Sequence, residues 1–134
     1  MIKPLLLTAL LLSGCDELGE DTEVSVGVLS ECPEGTPADA VWVDSASISG
    51  DQLTVDLSFG GGCETHDLGL CWDGSVAESD PAQVWLTVAH DAHNDSCEAL
   101  LSESLTVDIS ELQVAGTPVT VHLDGWSDSL SYAW

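Results

Sequence analysis

The chain has 134 residues, of which 24 are Asp or Glu and one is Lys or Arg, so its formal net charge is −23. This lack of cationic side chains excludes the Lys/Arg phosphate contacts of nucleic-acid binding and any charge-driven attraction to anionic lipids. Because 44% of the residues are hydrophobic, the chain can form the core of one folded domain and is not a disordered acidic tail.

The first 14 residues have the pattern of an export signal. Lys3 precedes an apolar run over residues 5–12, which is too short to span a bilayer. Residues 12–15, with the sequence LSGC, resemble the lipobox of bacterial lipoproteins. The resemblance implies that residues 1–14 are a signal peptide and that Cys15 becomes a lipidated N-terminus. Its acyl chains, of which palmitate is one candidate, would then hold the protein on a membrane.

Residues 15–23 follow as an acidic segment with little to bury, which we interpret as a solvated tether. Lys3 is removed with the signal peptide in this interpretation, so the mature chain carries all 24 carboxylates and no Lys or Arg. Ion pairs of the usual kind are then impossible. Self-repulsion must be relieved by spacing of the carboxylates, by counterions or by bound metal, and any electrostatic partner is a cation.

From residue 24 onward, apolar residues recur with a period of two, which predicts strands with one buried face. The clearest runs are residues 53–59, 84–88, 105–109 and 119–123, and weaker runs are residues 24–29, 41–49, 67–72 and 127–134. Between them we predict a hairpin turn at 49–51, loops at 75–83 and 91–96, and a short helical turn at 110–112. Seven or eight short strands predict an all-β domain over residues 24–134, built as a small antiparallel β-sandwich.

The predicted domain contains four cysteines: Cys32, Cys63, Cys71 and Cys97. In an exported domain they should form two disulfides, and spacing alone leaves all three connectivities open. We favour the pairs Cys63–Cys97 and Cys32–Cys71. Cys63 and Cys97 each border a motif-rich loop, whereas Cys32 lies in an early Pro/Gly-rich loop that needs a tie to the body of the domain.

Two segments concentrate side chains that could do chemistry. They are residues 60–67, with the sequence GGGCETHD, and residues 90–98, with the sequence HDAHNDSCE. Together they resemble a GGC-x-x-H segment followed by an H-D-A-x-x-D-x-C-E-A segment of uncharacterised bacterial lipoproteins. This resemblance implies no activity, but it strengthens the lipoprotein interpretation and the pairing of Cys63 with Cys97. The three successive glycines indicate a bulge or a close approach of the backbone to another group.

A disulfide between these segments would hold them side by side and make one candidate metal cluster, with His66, His90, His93, Asp91 and Asp95 as its ligands. Neutral imidazoles with a carboxylate suit zinc or copper. The acidic loop could instead offer oxygen ligands to calcium. A third interpretation is that these side chains only cap a tight loop through hydrogen bonds. The sequence leaves all three open, and a divalent metal ion is the one candidate cofactor.

We predict that the protein is not an enzyme. A nucleophilic Cys63 beside His66 would need a free thiol, which export makes unfavourable. No serine lies in a nucleophile-elbow pattern such as G-x-S-x-G. A chain of this length also leaves little room for a substrate cleft beside its core.

The last candidate feature is a set of tryptophans that are mostly out of phase with the aliphatic positions of their strands: Trp42, Trp85, Trp126 and Trp134. An exposed aromatic face could bind a glycan or an envelope protein, whereas burial on both faces would make these residues structural.

The sequence therefore predicts a lipid-anchored bacterial envelope protein, periplasmic or surface-exposed, with a non-enzymatic binding or structural role. The alternative is a metal-binding envelope lipoprotein. The membrane is the predicted partner through the N-terminal lipid, nucleic acid is excluded, and the oligomeric state is not predicted.

Overall fold

The computed structural model describes residues 27–134, so the predicted signal peptide (1–14) and tether (15–23) lie outside the described residues. Within residues 27–134 there are eight strands: β1 (Gly27–Val28), β2 (Trp42–Ser49), β3 (Gln52–Gly61), β4 (Asp67–Trp72), β5 (Ala82–Asp91), β6 (Ala99–Asp108), β7 (Val119–Leu123) and β8 (Ser129–Tyr132). A 3-10 helix spans Ser110–Ala115. The predicted all-β class is confirmed. No helix among residues 27–134 is long and apolar enough to cross a membrane.

The strands form two four-stranded sheets, in the orders β1-β6-β3-β2 and β4-β5-β7-β8. Pairing is antiparallel between β2 and β3, β3 and β6, β4 and β5, and β7 and β8. Two pairs, β1 with β6 and β5 with β7, are parallel. The predicted sandwich is therefore confirmed, and it includes two parallel pairs that hydrophobic period alone does not specify.

The core lies between the sheets because apolar and polar side chains alternate along the central strands. The inward positions of β3 are all buried: Leu53, Val55, Leu57 and Phe59. The same core includes Val84, Leu86 and Val88 of β5, and Val119, Val121 and Leu123 of β7. The last inward position of β5 is taken by His90, which is only 1% exposed. A polar ring therefore lies at one end of an apolar core.

Both disulfides have the predicted pairing. Cys32 is bonded to Cys71 and Cys63 to Cys97, with Cα–Cα distances of 5.1 and 5.8 Å. The first disulfide joins the loop before β2 to β4. The second joins the β3–β4 loop to the β5–β6 loop, so it links two connections that each cross from one sheet to the other.

Candidate functional site

The two motif-rich segments meet at one end of the sandwich. The β3–β4 loop covers residues 62–66 and the β5–β6 loop covers residues 92–98. Because β3 pairs with β6 and β4 pairs with β5, both loops leave and enter neighbouring strands at the same end. The Cys63–Cys97 disulfide then connects them covalently. All of the histidines and carboxylates predicted as metal ligands lie in or beside these loops.

A chain of hydrogen bonds runs through two buried histidines. Asp95 Oδ2 lies 2.9 Å from His66 Nε2, and His66 Nδ1 lies 2.8 Å from His90 Nε2. On its far side, His90 Nδ1 lies 3.0 Å from the carbonyl oxygen of Ala40 and 3.2 Å from that of Asp39. The side chains of His66 and Asp95 are only 4% and 0% exposed. We call this arrangement, from Asp95 through His66 to His90, the histidine chain.

The number of protons in the histidine chain follows from its acceptors. His90 Nδ1 faces carbonyl oxygens and must carry a hydrogen, so a neutral His90 offers Nε2 as an acceptor to His66 Nδ1. His66 Nε2 then faces a carboxylate oxygen, which also needs a hydrogen between the two atoms. Three contacts need three protons, whereas two neutral imidazoles supply two. The three contacts are therefore all satisfied only when one further proton is shared among Asp95 and the two imidazoles.

Asp95 is held in its ionised form by His66 and by the surrounding backbone. Its Oδ2 accepts N–H groups from Gly62 (2.9 Å), Cys63 (3.1 Å) and Glu64 (3.0 Å), and its Oδ1 accepts that of Cys97 (3.0 Å). The hydrogen bond from His66, followed by those from the backbone, holds the pKa of Asp95 well below its ordinary value. The Asp95 carboxylate thus forms hydrogen bonds with the backbone of both loops.

Close packing fixes the two rings. Phe59 lies against both imidazoles, with centroid distances of 4.8 Å to His66 and 4.9 Å to His90. The backbone of Gly61 approaches so closely that a Cβ there would lie 2.5 Å from His66 Nε2 and 2.7 Å from Asp95 Oδ2. This close approach is the role that the run of glycines indicates.

A second group of ionisable side chains lies on the outer face of the sheet that contains β4 and β5. Asp67 and Asp91 are directly opposite each other in the β4–β5 register. His93 Nε2 lies 3.2 Å from Asp67 Oδ2 and 3.6 Å from Asp91 Oδ2. The other ring nitrogen, Nδ1, lies 2.6 Å from the carbonyl oxygen of Thr65. We call Asp67, Asp91 and His93 the outer triad.

Local backbone geometry turns His93 back toward the sheet. His93 and Asn94 have φ values of 53° and 60°, in the left-handed region that non-glycine residues seldom adopt. The His93 N–H donates to Asp91 Oδ1 at 2.9 Å, which closes the turn. The pKa of His93 is raised above its ordinary value, first by the hydrogen bond to the Thr65 carbonyl and then by nearby carboxylates, which are those of Asp91, Asp67 and Glu64.

The structure divides the predicted cluster into these two groups. His66, His90 and Asp95 belong to the buried histidine chain, whereas His93 and Asp91 belong to the outer triad. Asp67 is a member that the sequence prediction missed. The strand period could have found it, because alternation directs His66 inward and Asp67 outward, onto the same face as Asp91.

The two groups differ in what they can bind. Every ring nitrogen of the histidine chain already has a hydrogen-bond partner inside the fold. A metal ion there would have to replace those hydrogen bonds. In the outer triad the three donor atoms lie within 4.8 Å of one another and face solvent. A third cluster, Cys63, Asp95 and Cys97, offers no thiolate because both sulfurs are in the disulfide.

The tryptophans are distributed over the molecule. Trp42, Trp85 and Trp134 are 58%, 43% and 43% exposed, while Trp126 packs against the core. Trp85 stacks on His122 with a centroid distance of 4.8 Å and an interplanar angle of 12°. Within residues 27–134, none of these four rings stacks on another of the four.

Comparison with known proteins gives matches in structure alone. No family model matches the chain, and no curated protein matches its sequence. A NigD-like immunity protein from Bacteroides caccae ATCC 43185 is similar in structure, with a TM-score of 0.59 and 21% identity over 78% of this chain and 59% of that one. A protein of unknown function from Bacteroides vulgatus ATCC 8482 has a TM-score of 0.55 and 12% identity over 81% and 57%.

A third similar structure is that of a "putative lipoprotein" from Bacteroides fragilis NCTC 9343, with a TM-score of 0.51 and 11% identity over 81% of this chain and 70% of that one. The chain spans a little under three fifths of the length of the first two structures. At these identities the likeness shows the fold that the proteins share.

Proposed function

We propose that the chain is a lipid-anchored protein of the bacterial cell envelope, whose β-sandwich has a non-enzymatic binding or structural role. The observation that carries the proposal is the LSGC sequence at residues 12–15, preceded by Lys3 and an apolar run. Two disulfides support an exported location, because such bonds persist outside the reducing cytoplasm. The fold shared with a protein described as a lipoprotein agrees with this assignment.

The histidine chain supports a structural role for that end of the sandwich. A general base needs a ring nitrogen that can reach a substrate, and those of His66 and His90 are buried and hydrogen-bonded inside the fold. The cysteines at Cys63 and Cys97, which could otherwise supply a nucleophile, are consumed in a disulfide. The site therefore favours a rigid, preformed surface over a reaction centre.

The lipid anchor is tested by cell fractionation of the full chain expressed in a bacterium. We expect the protein in the membrane fraction, with radiolabelled palmitate incorporated, and we expect Cys15→Ala to abolish both. Ser13→Ala is the matched control, because it alters the same segment while keeping a small residue before the cysteine. Palmitate incorporation that persists in Cys15→Ala, or none in the unaltered chain, would contradict the proposal.

Metal binding is the second candidate function, and the geometry of the outer triad favours it. Of the predicted ligands, His93 and Asp91 have accessible donor atoms that converge with Asp67. The binding role would then belong to the outer face of the β4–β5 pair.

A further inference from the structure

The donor atoms of the outer triad have the spacing of ligands around one small ion. Zinc binds imidazole nitrogen and carboxylate oxygen at about 2.0–2.2 Å in a tetrahedron, so two such ligands lie about 3.4 Å apart. The distances from His93 Nε2 to Asp67 Oδ2 and Asp91 Oδ2 are 3.2 and 3.6 Å. All three donor atoms lie within 4.8 Å of one another, so they can surround one ion and leave a further position for water.

The His93 ring is oriented as metal-bound imidazoles are. Its Nδ1–H donates to the Thr65 carbonyl oxygen at 2.6 Å, which fixes the tautomer and leaves the lone pair of Nε2 facing the two carboxylates. Metal-ligating histidines commonly donate their second ring N–H to a carbonyl or carboxylate in this way. Asp91 is oriented as well, because its Oδ1 accepts the His93 N–H and its Oδ2 remains directed at Nε2.

The negative charges of Asp67 and Asp91 favour a cation between their carboxylates and His93. Asp67 and Asp91 are cross-strand partners, and like charges directly opposite each other destabilise a sheet. The only Lys or Arg of the chain is Lys3, so no side chain of the domain other than histidine can neutralise the pair. Three lone-pair atoms therefore converge on a point that either a proton on Nε2 or a metal ion can occupy.

We propose that Asp67, Asp91 and His93 form a surface site for one divalent transition-metal ion of the zinc type. The imidazole ligand indicates which class of metal ion binds, because calcium and magnesium take oxygen ligands, whereas zinc accepts nitrogen and oxygen together. The inference specifies the second candidate function above, and it does not depend on the lipid anchor.

The test is calorimetric titration of ZnCl2 into the full chain, purified in detergent, stripped with EDTA and dialysed into moderate salt. We expect one saturable zinc ion per chain. His93→Ala should weaken binding at least about tenfold, since disturbing even the partners of metal ligands costs that much. His122→Ala is the matched histidine control and should leave the affinity unchanged. Asp67→Asn should weaken binding more than Asp128→Asn, which makes the same change of charge in an exposed loop.

Histidine ring NMR identifies the ligand in the same samples. Zinc should shift the Nε2 resonance of His93 and leave those of His66 and His90 in place. Absence of zinc binding would overturn the proposal. It would also be overturned by equal affinity in His93→Ala, by several weak sites that salt abolishes, or by calcium binding where zinc does not. None of these results bears on palmitate incorporation, so the two proposals fail separately.

Discussion

At the scale of single residues, Asp95 closes the end of the sandwich. One carboxylate accepts four backbone N–H groups from two loops and also contacts the ring of His66. Hydrogen bonds to an ionised acceptor are stronger than those between neutral groups. The loops are therefore held by one charged side chain in addition to the disulfide beside it.

This arrangement predicts acid sensitivity. Because the pKa of Asp95 is lowered in the folded state, its contribution to stability is complete above its unfolded value of 3.8 and is lost as the pH falls toward the folded value. In EDTA, Asp95→Asn should lower the melting temperature at pH 6, and the difference from the unaltered chain should shrink below about pH 4. Melting curves at pH 3 to 6 measure this. An equal effect of Asp128→Asn, or a difference that grows as the pH falls, would contradict it.

Gly61 gives a steric test of the same contact. Gly61→Ala would place a methyl group against His66 Nε2 and Asp95 Oδ2, so we expect a loss of about 1–3 kcal/mol in the free energy of unfolding. Gly60→Ala is the matched control. A Cβ at Gly60 meets only the Ala99 carbonyl oxygen at 4.0 Å, so we expect a change within about 0.5 kcal/mol. Urea unfolding of both variants measures these changes in the free energy of unfolding. Equal losses in Gly61→Ala and Gly60→Ala would show that the contact with His66 is not tight.

At this scale, the sequence predicted five residues that lie near one another, but it missed Asp67 and did not show how the residues are grouped. His66, His90, His93, Asp91 and Asp95 were all predicted, and all lie at one end of the domain. Their division follows from strand direction and from the left-handed backbone at His93, which composition and spacing do not reveal.

At the scale of elements, β4 and β5 separate the two groups. Along β5, His90 faces the core and Asp91 faces outward, because successive side chains of a strand point to opposite faces. Asp67 opposes Asp91 in the register of β4. The two adjacent strands therefore carry the buried histidine chain on one face and the solvent-facing outer triad on the other.

Removing each of the two disulfides should affect the histidine chain differently. Replacing both Cys63 and Cys97 by serine should destabilise the domain by about 2–4 kcal/mol and loosen the loops that hold His66 and Asp95. Modification of His66 by diethyl pyrocarbonate, followed by mass spectrometry, should then become faster; His90 is not used as the readout, because it also contacts the loop that carries Cys32. The corresponding change at Cys32 and Cys71 should destabilise the domain without this acceleration. Equal acceleration in both variants would contradict the separate roles.

Hydrophobic period predicted most elements well, because apolar and polar residues alternate strictly along β3 and β7. Residues 53–59 and 119–123 correspond to β3 and β7, and the predicted helical turn lies in the 3-10 helix. The early part of β6 was missed, since Leu100 is exposed and no alternation precedes residue 105. The parallel pairing of β5 with β7 depends on contacts between distant segments, which local pattern cannot specify.

At the scale of the whole molecule, charge is the dominant property. All 24 acidic residues lie after Cys15, and the only Lys or Arg lies before it. The outward carboxylates are partly accommodated by hydroxyl groups. Asp56, for example, accepts hydrogen bonds from Ser104 and Ser45, which in that order hold its pKa below the ordinary value. Hydroxyl donors stabilise each carboxylate but leave the repulsion between carboxylates in place.

Stability should therefore increase with salt. We expect the melting temperature at neutral pH to rise by several degrees between low and moderate NaCl concentrations, because screening weakens the repulsion among surface carboxylates. Calorimetry in EDTA measures this without interference from divalent ions. A melting temperature that stays flat or falls over the same range would show that self-repulsion does not limit stability.

The central claim is that this acidic sandwich is held on a membrane through Cys15. The most direct test is the intact mass of the protein purified from the bacterial envelope. We predict a chain that begins at Cys15 and carries the added mass of a diacylglyceryl group and an acyl chain. A mass that matches the unprocessed chain, or a chain cleaved elsewhere without lipid, would contradict it.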